Sequence, residues 1–201
     1  MDIARLLSSR ARVLQPSGIR RISDLATKIP GVINLSIGQP DFTVPAPIKQ
    51  AAIRAIESDR NGYAVTPGIP ELRRAIASRL AEDLGWDTDA PADPGFLVTV
   101  GTSGALLLCA QALLSPGDEM IIPDPYFTLY PELAHLCDAR AVVCDTYPDF
   151  RLTAERVEPL ITPRTKFVLL TSPSNPCGVV SPEHDVADLL DLCRRRGVLL
   201  V

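Results

Sequence analysis

The sequence predicts an α/β fold of three layers, in which a mostly parallel sheet carries helices on both faces. Short apolar runs typical of buried strands alternate with helical segments from residue 96 onward. Turn formers such as Ser115-Pro116-Gly117-Asp118 separate them. With 201 residues and 46% apolar content, the chain can bury a sizeable core.

The helices are predicted from apolar spacing and from residues that favour helix ends. Leu72, Ile76, Leu80 and Leu84 lie on one helical face, and Pro70 is tolerated in the first turn. Further along, the predicted helices are Ser103–Leu114, Thr128–Leu136, Thr153–Leu160, and one with Ser181 as N-cap, Pro182 at its first position and Gly197 at its end.

The strands are predicted from short continuous apolar runs between these helices. They are Phe96–Val100, Glu119–Ile122, Ala141–Cys144, Lys166–Leu170 and Val198–Val201. Up to residue 95 the chain instead indicates two polar helices, a short strand at Val32–Leu35, a loop and more helix. We therefore divide it into a helical arm (1–31), a mixed segment (32–95) and an α/β domain (96–201).

The composition argues against several kinds of partner and site. There are 20 basic and 24 acidic residues, with no basic run, which argues against nucleic acid and anionic membrane partners. The apolar runs are short and no secretory leader is present, so a cytoplasmic location is expected. Five scattered cysteines and two histidines favour neither a disulfide framework nor a metal site.

Asn175 follows a buried strand within a turn that contains Pro173, Pro176 and Gly178. The prolines restrict the backbone, so the Asn175 amide is expected at the carboxyl end of the strand, where parallel sheets bind ligands. Taken alone, the turn also fits an ordinary strand-to-helix loop.

Gly101, Thr102 and Ser103 open a helix directly after a predicted strand. Free amides, two hydroxyls and the helix dipole would suit a phosphate there, although a simple N-cap by Thr102 or Ser103 explains the pattern equally well. The segment also resembles the nucleophile elbow of α/β-hydrolases, but Ala105 replaces the last glycine of that motif.

Three weaker patterns accompany these two. Phe127 lies in Asp124-Pro125-Tyr126-Phe127, where an aromatic ring could stack on a planar cofactor or simply join the core. Tyr63 lies in a loop that ends at Pro67-Gly68. Gly38 lies in Leu35–Phe42 and would allow close approach of the backbone to a ligand.

Together and in order, these segments resemble class I aminotransferases of the fold type I pyridoxal-phosphate superfamily, which are aspartate aminotransferase-like. The resemblance spans Val32–Val201. It rests on the stretches Leu35–Phe42, Tyr63–Arg73, Val98–Leu106, Pro123–Phe127 and Ser174–Gly178. It implies an incomplete large cofactor-binding domain, cut before the lysine that binds the cofactor and before the small domain.

The resemblance implies roles for individual residues. Gly101, Thr102 and Ser103 would hold the phosphate of pyridoxal phosphate, Phe127 would stack on its ring, and Asn175 would hydrogen-bond its phenolic oxygen. Gly38 would lie beside the substrate carboxylate. Tyr63 would reach the phosphate in the neighbouring subunit of a homodimer. The full-length relative would transfer an amino group from an amino acid to a 2-oxo acid.

Important parts of that family pattern are missing. Gln39 replaces the usual Glu and Cys177 the usual Thr, but neither carries the central chemistry. The aspartate at the pyridine nitrogen, a tyrosine partner and the Schiff-base lysine would all follow Val201. Lys28, Lys49 and Lys166, the lysines of this sequence, match no such motif.

We therefore expect this chain alone to be catalytically inactive and to bind pyridoxal phosphate without a covalent bond at best. We also expect it to be unstable alone or to need a partner. Two alternatives remain. One is a silent binding or regulatory protein on the same scaffold, and the other is a serine hydrolase that uses Ser103 and one of the two histidines.

Overall fold

The computed structural model describes residues 3–14, 18–35, 38–86 and 95–201. The chain divides into two compact units: a sheet unit, Met1–Arg21 with Thr102–Val201, and a helical unit, Ile22–Gly101. The α-helices are α1 (Ser9–Val13), α2 (Gly18–Ala26), α3 (Ala46–Glu57), α4 (Pro70–Leu84), α5 (Gly101–Leu113), α6 (Leu129–Leu136), α7 (Ala154–Val157) and α8 (Glu183–Arg196). Short 3-10 helices span Ile3–Leu6 and Glu158–Leu160.

The sheet is formed by β1 (Glu119–Asp124), β2 (Arg140–Asp145), β3 (Thr165–Val168) and β4 (Leu199–Leu200). Its strand order is β2-β1-β3-β4, and every pair is parallel. Central β1 pairs Ile121 with Val142 of β2 and with Val168 of β3. Because the strands are parallel, all of their carboxyl ends lie along one edge.

Alternate residues of β1 point to opposite faces of the sheet, and each face has its own apolar core. Met120 and Ile122 pack with α5 and α6 through residues such as Ala110 and Leu133. Ile121 lies on the other face with α7 and α8, where it joins Leu189 and others. The predicted fold class, a parallel sheet with helices on both faces, is confirmed.

In the helical unit, α4 confirms the predicted helix and begins with Pro70. Two other predictions were wrong. Val32–Leu35 and Phe96–Val100 belong to no strand in the described part of the chain. Val98 donates one backbone hydrogen bond to the Pro67 carbonyl at 3.1 Å, but no ladder develops from it.

The start of the last helix also differs from the prediction. α8 begins at Glu183, and Pro182 is its N-cap instead of its first residue. The Ser181 amide donates to Ser172 Oγ at 3.0 Å, so Ser181 belongs to the preceding loop. The predicted end is correct, because Gly197 caps α8 in the left-handed conformation.

Candidate functional site

The candidate site lies at the carboxyl edge of the sheet, where β1 and β3 run into the loops that carry Phe127 and Asn175. The ends of β1 and β2 are held together by Thr146, which is 1% exposed. Its hydroxyl donates to the Asp124 carbonyl at 2.6 Å. This edge is where open parallel sheets bind ligands.

Helix α5 returns to the same edge at its N-terminus. It is 13 residues long, and the turn Ser115–Asp118 joins its C-terminal end to the start of β1. A helix of that length rises about 20 Å, which is about the length of a six-residue strand. Thr102 and Ser103 therefore lie near the level of the strand ends.

The first turn of α5 can accept an anion. The amides of Thr102 and Ser103 lie where an α-helix has no internal acceptors for its N–H groups. Both residues are exposed, and within the described ranges neither hydroxyl makes a hydrogen bond. Gly101 starts the helix at φ +64°, a left-handed conformation that favours glycine.

Phe127 is half-buried at the end of β1 and makes an edge contact with Tyr130. The two ring centroids are 5.8 Å apart and the rings are inclined by 82°. Tyr130 is 4% exposed, and its hydroxyl lies 3.0 Å from Thr171 Oγ1. The contact thus joins the loop after β1 to the loop after β3.

The loop that carries Asn175 is closed by its own hydrogen bonds. The Ser174 amide donates to the Val179 carbonyl at 2.8 Å, and the Val179 amide donates to Ser174 Oγ at 3.2 Å. Asn175 itself is exposed, and its amide makes no hydrogen bond to any described residue. A donor is therefore presented at this edge without a protein partner.

The other two predicted site residues, Gly38 and Tyr63, belong to the helical unit. Both are exposed, Tyr63 fully so. Ser36 and Ile37, from the same predicted segment as Gly38, lie outside the described residues. Phe127 and Asn175 thus lie in the loops at one sheet edge, and the length of α5 puts Thr102 and Ser103 near the same level. Gly38 and Tyr63 belong to the other unit.

The two histidines have partners of their own. His135 Nδ1 lies 3.4 Å from Glu132, and His184 Nε2 lies 3.2 Å from Arg151. Within the described ranges, neither imidazole is bonded to Ser103. In the part of the chain that the structure describes, no three His, Cys, Asp or Glu side chains are grouped so that they could hold a metal ion. None of the helices in that part has the length and apolar character that crossing a membrane requires.

Two residues of this edge, Tyr130 and Thr171, were not identified from the sequence. Tyr130 falls within a predicted helix, where a core position accounts for it, and Thr171 lies at a strand end. They are 41 residues apart. No periodic pattern or local motif in the sequence signals their contact.

A parallel sheet covered on both faces, with an aromatic ring and an exposed amide in the loops at its carboxyl edge, is the arrangement in which α/β proteins bind small molecules. Residues 30–201 match the family described as aminotransferase class I and II. The chain therefore belongs to the class I and II aminotransferase family.

Individual relatives agree with this assignment. The probable N-acetyl-LL-diaminopimelate aminotransferase of Bacillus subtilis is 38% identical over 98% of this chain and 50% of its own length. A mutant aspartate aminotransferase from Thermus thermophilus superposes with a TM-score of 0.87 at 37% identity, over 96% of this chain and 52% of that one.

The N-succinyldiaminopimelate aminotransferase of Mycobacterium tuberculosis also superposes with a TM-score of 0.87, at 32% identity. That match covers 96% of this chain and 50% of the other. The chain thus spans about half the length of the relatives it matches.

Proposed function

We propose that this chain supplies the pyridoxal-phosphate-binding part of an aminotransferase that moves an amino group from an amino acid to a 2-oxo acid. The observation that carries the proposal is the set of residues at the carboxyl edge of the sheet. Thr102 and Ser103 offer amides and hydroxyls, Phe127 offers a ring, and Asn175 offers an amide, each without a competing hydrogen bond from the described residues.

The donor set fits the cofactor. A phosphate dianion is favoured at a helix N-terminus, where the unpaired amides of Thr102 and Ser103 and the dipole of α5 act together. The Gly101 amide donates to the Thr99 carbonyl at 2.9 Å and would take part only by giving up that bond. A planar pyridine ring gains from contact with the half-buried Phe127. The Asn175 amide would donate to the negatively charged phenolic oxygen, which strengthens the hydrogen bond.

When bound, pyridoxal phosphate supplies a ring that withdraws electrons from the amino acid and so stabilises negative charge at its α-carbon. The residues of this chain bind and orient that ring. Thr102 and Ser103 fix its phosphate end, Phe127 covers one face, and Asn175 holds the side with the phenolic oxygen.

The lysine of the sheet unit, Lys166, is not placed to act at this edge, and none of the three lysines of the sequence matches the family's Schiff-base motif. Lys166 is the second residue of β3 and lies near the opposite edge of the sheet, where its Nζ is 3.6 Å from Asp118 Oδ1. Lys28 and Lys49 belong to the helical unit. We therefore propose that cofactor binding by this chain is noncovalent and that the chain does not transaminate alone.

Two features of the helical unit support the remaining parts of the proposal. The exposed Tyr63 is available to a second copy of the chain, and we propose that it reaches the phosphate across a homodimer interface. Gly38, which is also exposed, would lie beside the substrate carboxylate. The proposed location is the cytoplasm, and the proposed ligands are small molecules.

The test is titration of the chain with pyridoxal phosphate, compared with Asn175→Ala and Ser103→Ala. Loss of one hydrogen bond to a charged group should weaken binding by about 10-fold or more. Gln111→Ala is a matched control, because this exposed residue lies in the C-terminal part of α5 and has no hydrogen-bonded side chain within the described residues. Equal affinity of all four proteins would contradict the proposed site.

A further inference from the structure

Tyr130 connects the two loops that carry Phe127 and Asn175. It lies in the first turn of α6, three residues after Phe127, and its amide donates to the Phe127 carbonyl at 3.0 Å. Its ring meets Phe127 edge-on, and its hydroxyl pairs with Thr171 Oγ1 at 3.0 Å. One buried side chain thus contacts both loops.

These contacts restrict both partners. An edge-to-face contact with a buried ring limits the orientations that the Phe127 ring can adopt. The Tyr130 hydroxyl is held in a buried position, so losing Thr171 as its partner would leave a polar group unsatisfied. The pair therefore fixes the distance between the first turn of α6 and the start of the loop after β3.

The loop after β3 can pass this restraint on to Asn175. Its first part is held to the sheet, because the Leu169 amide donates to the Ile121 carbonyl at 2.9 Å and the Leu170 amide to the Val201 carbonyl at 2.8 Å. Its later part is closed by the Ser174–Val179 bonds. Thr171 lies between these two tied segments, four residues before Asn175.

We propose that Tyr130 is a positioning residue of the cofactor site. Its ring orients Phe127 for stacking, and its hydrogen bond to Thr171 sets the position from which Asn175 reaches the cofactor. This inference rests on the proposed function and adds a buried residue that would not itself touch the ligand.

Pyridoxamine phosphate is the appropriate probe. It has no aldehyde, so it cannot form a Schiff base with Lys28, Lys49 or Lys166. Its affinity and the circular dichroism of the bound ring would be measured on the full chain, and inorganic phosphate would be titrated separately. The variants are Tyr130→Phe, Thr171→Val and the double variant. Thr171→Ser is included because it restores a hydroxyl.

We expect Tyr130→Phe and Thr171→Val each to weaken pyridoxamine phosphate binding by about 3- to 10-fold and to change the circular dichroism band, because each removes the same hydrogen bond. The double variant should resemble either single one. Thr171→Ser should approach wild type, and the affinity for inorganic phosphate should not change.

Tyr147→Phe is a matched control. Tyr147 also makes an edge contact with a phenylalanine, Phe150, but it is exposed and its hydroxyl has no hydrogen bond among the described residues. Removal of the Tyr147 hydroxyl should leave the affinity for pyridoxamine phosphate unchanged. If Tyr130→Phe fails to fold, the comparison of Thr171→Val with Thr171→Ser decides the question.

The outcomes separate the two proposals. If wild type binds pyridoxamine phosphate and the variants match it in affinity and spectrum, the role of Tyr130 is wrong and the proposed function stands. A parallel loss of inorganic phosphate affinity would indicate general loosening and would also overturn the role. If wild type binds neither compound, the proposed function fails and the role of Tyr130 fails with it.

Discussion

Arg151 and Asp185 form a two-point ion pair between positions 34 residues apart. Arg151 Nε donates to Asp185 Oδ2 and Nη2 donates to Oδ1, each at 2.7 Å. The Asp185 side chain is 8% exposed and that of Arg151 33%. The pair attaches the loop after β2 to the first turn of α8, and His184 Nε2 lies 3.2 Å from the same guanidinium.

Removal of the arginine should destabilise the chain strongly. In Arg151→Ala the buried carboxylate of Asp185 loses its charged partner, and we expect a loss of about 3 kcal/mol in the free energy of unfolding. Urea denaturation measures it. Arg195→Ala breaks the exposed pair with Asp191 and should cost about 0.5 kcal/mol. Equal losses in the two variants would contradict this prediction.

Glu119 should make the fold sensitive to acid. Burial acts to raise its pKa, but hydrogen bonds from Arg140 and Thr162 and the charges of Arg140 and Arg164 outweigh it and hold the pKa below the ordinary 4.5. The resulting stabilisation is fully present above pH 4.5 and is lost as the pH falls through the lowered pKa of the folded state.

The corresponding experiment is the free energy of unfolding as a function of pH, for wild type and Glu119→Gln. The variant should be less stable near neutrality, and its stability should fall less steeply in acid because this titrating group is gone. Thr162→Val removes one donor at 2.7 Å and should move the loss of stability to higher pH. Parallel curves for wild type and Glu119→Gln would contradict the assignment.

The five cysteines should differ in reactivity. Burial raises the pKa of the Cys144 thiol to about 11 and also raises those of Cys137 and Cys193. Cys109 and Cys177 are only half-buried. Because the thiolate is the reactive form, a disulfide reagent at about pH 8 should modify Cys109 and Cys177 first, and the other three only on unfolding.

Mass spectrometry of the labelled chain identifies the modified positions. Cys177→Ser should remove one rapidly reacting thiol and leave the three slow ones unchanged. Rapid labelling of Cys144 in the folded protein would show that β2 opens readily.

Gly68 should not tolerate a side chain. Its φ is +109°, and a Cβ atom there would lie 2.6 Å from Val98 Cγ2. Gly68→Ala should therefore destabilise the helical unit by more than about 1 kcal/mol. Gly62→Ala is the control, because an added Cβ meets nothing within 4 Å. Hydrogen exchange of the segment around α4 measures the loss of stability in Gly68→Ala and in Gly62→Ala. Similar protection from exchange in the two variants would contradict the prediction.

Local sequence patterns predicted most of the sheet unit. The apolar runs of β1 and β2 and the spacing of α8 are local signals, and the structure extends or shortens them by a few residues. The strand predicted at Phe96–Val100 was wrong because an apolar run forms a strand only when another strand pairs with it. Such pairing depends on residues that are distant in the sequence. The prediction of Ser181 as an N-cap was wrong because the Ser181 amide donates to Ser172 Oγ within the loop.

Part of the candidate site could also be predicted from local sequence patterns. Ser103 and Asn175 lie in recognisable turns, so their places at a helix start and a strand end follow from the sequence. The contacts that connect the site are not local. Tyr130 meets Thr171 across 41 positions, and elsewhere in the sheet unit Arg151 meets Asp185 across 34. Only the order of the strands brings these pairs together.

The two apolar cores of the sheet are separate, and this separation bears on which sequence changes the protein can accept. The core with α5 and α6 includes Tyr130 and packs against Phe127, and Ser103 lies in the first turn of α5, so a change of volume there would move the groups that would hold a ligand. The core with α7 and α8, built around residues such as Leu189, supports none of these three. Substitutions that raise thermal stability are therefore best sought on the α7 and α8 face. A change of side-chain volume there should disturb ligand binding least.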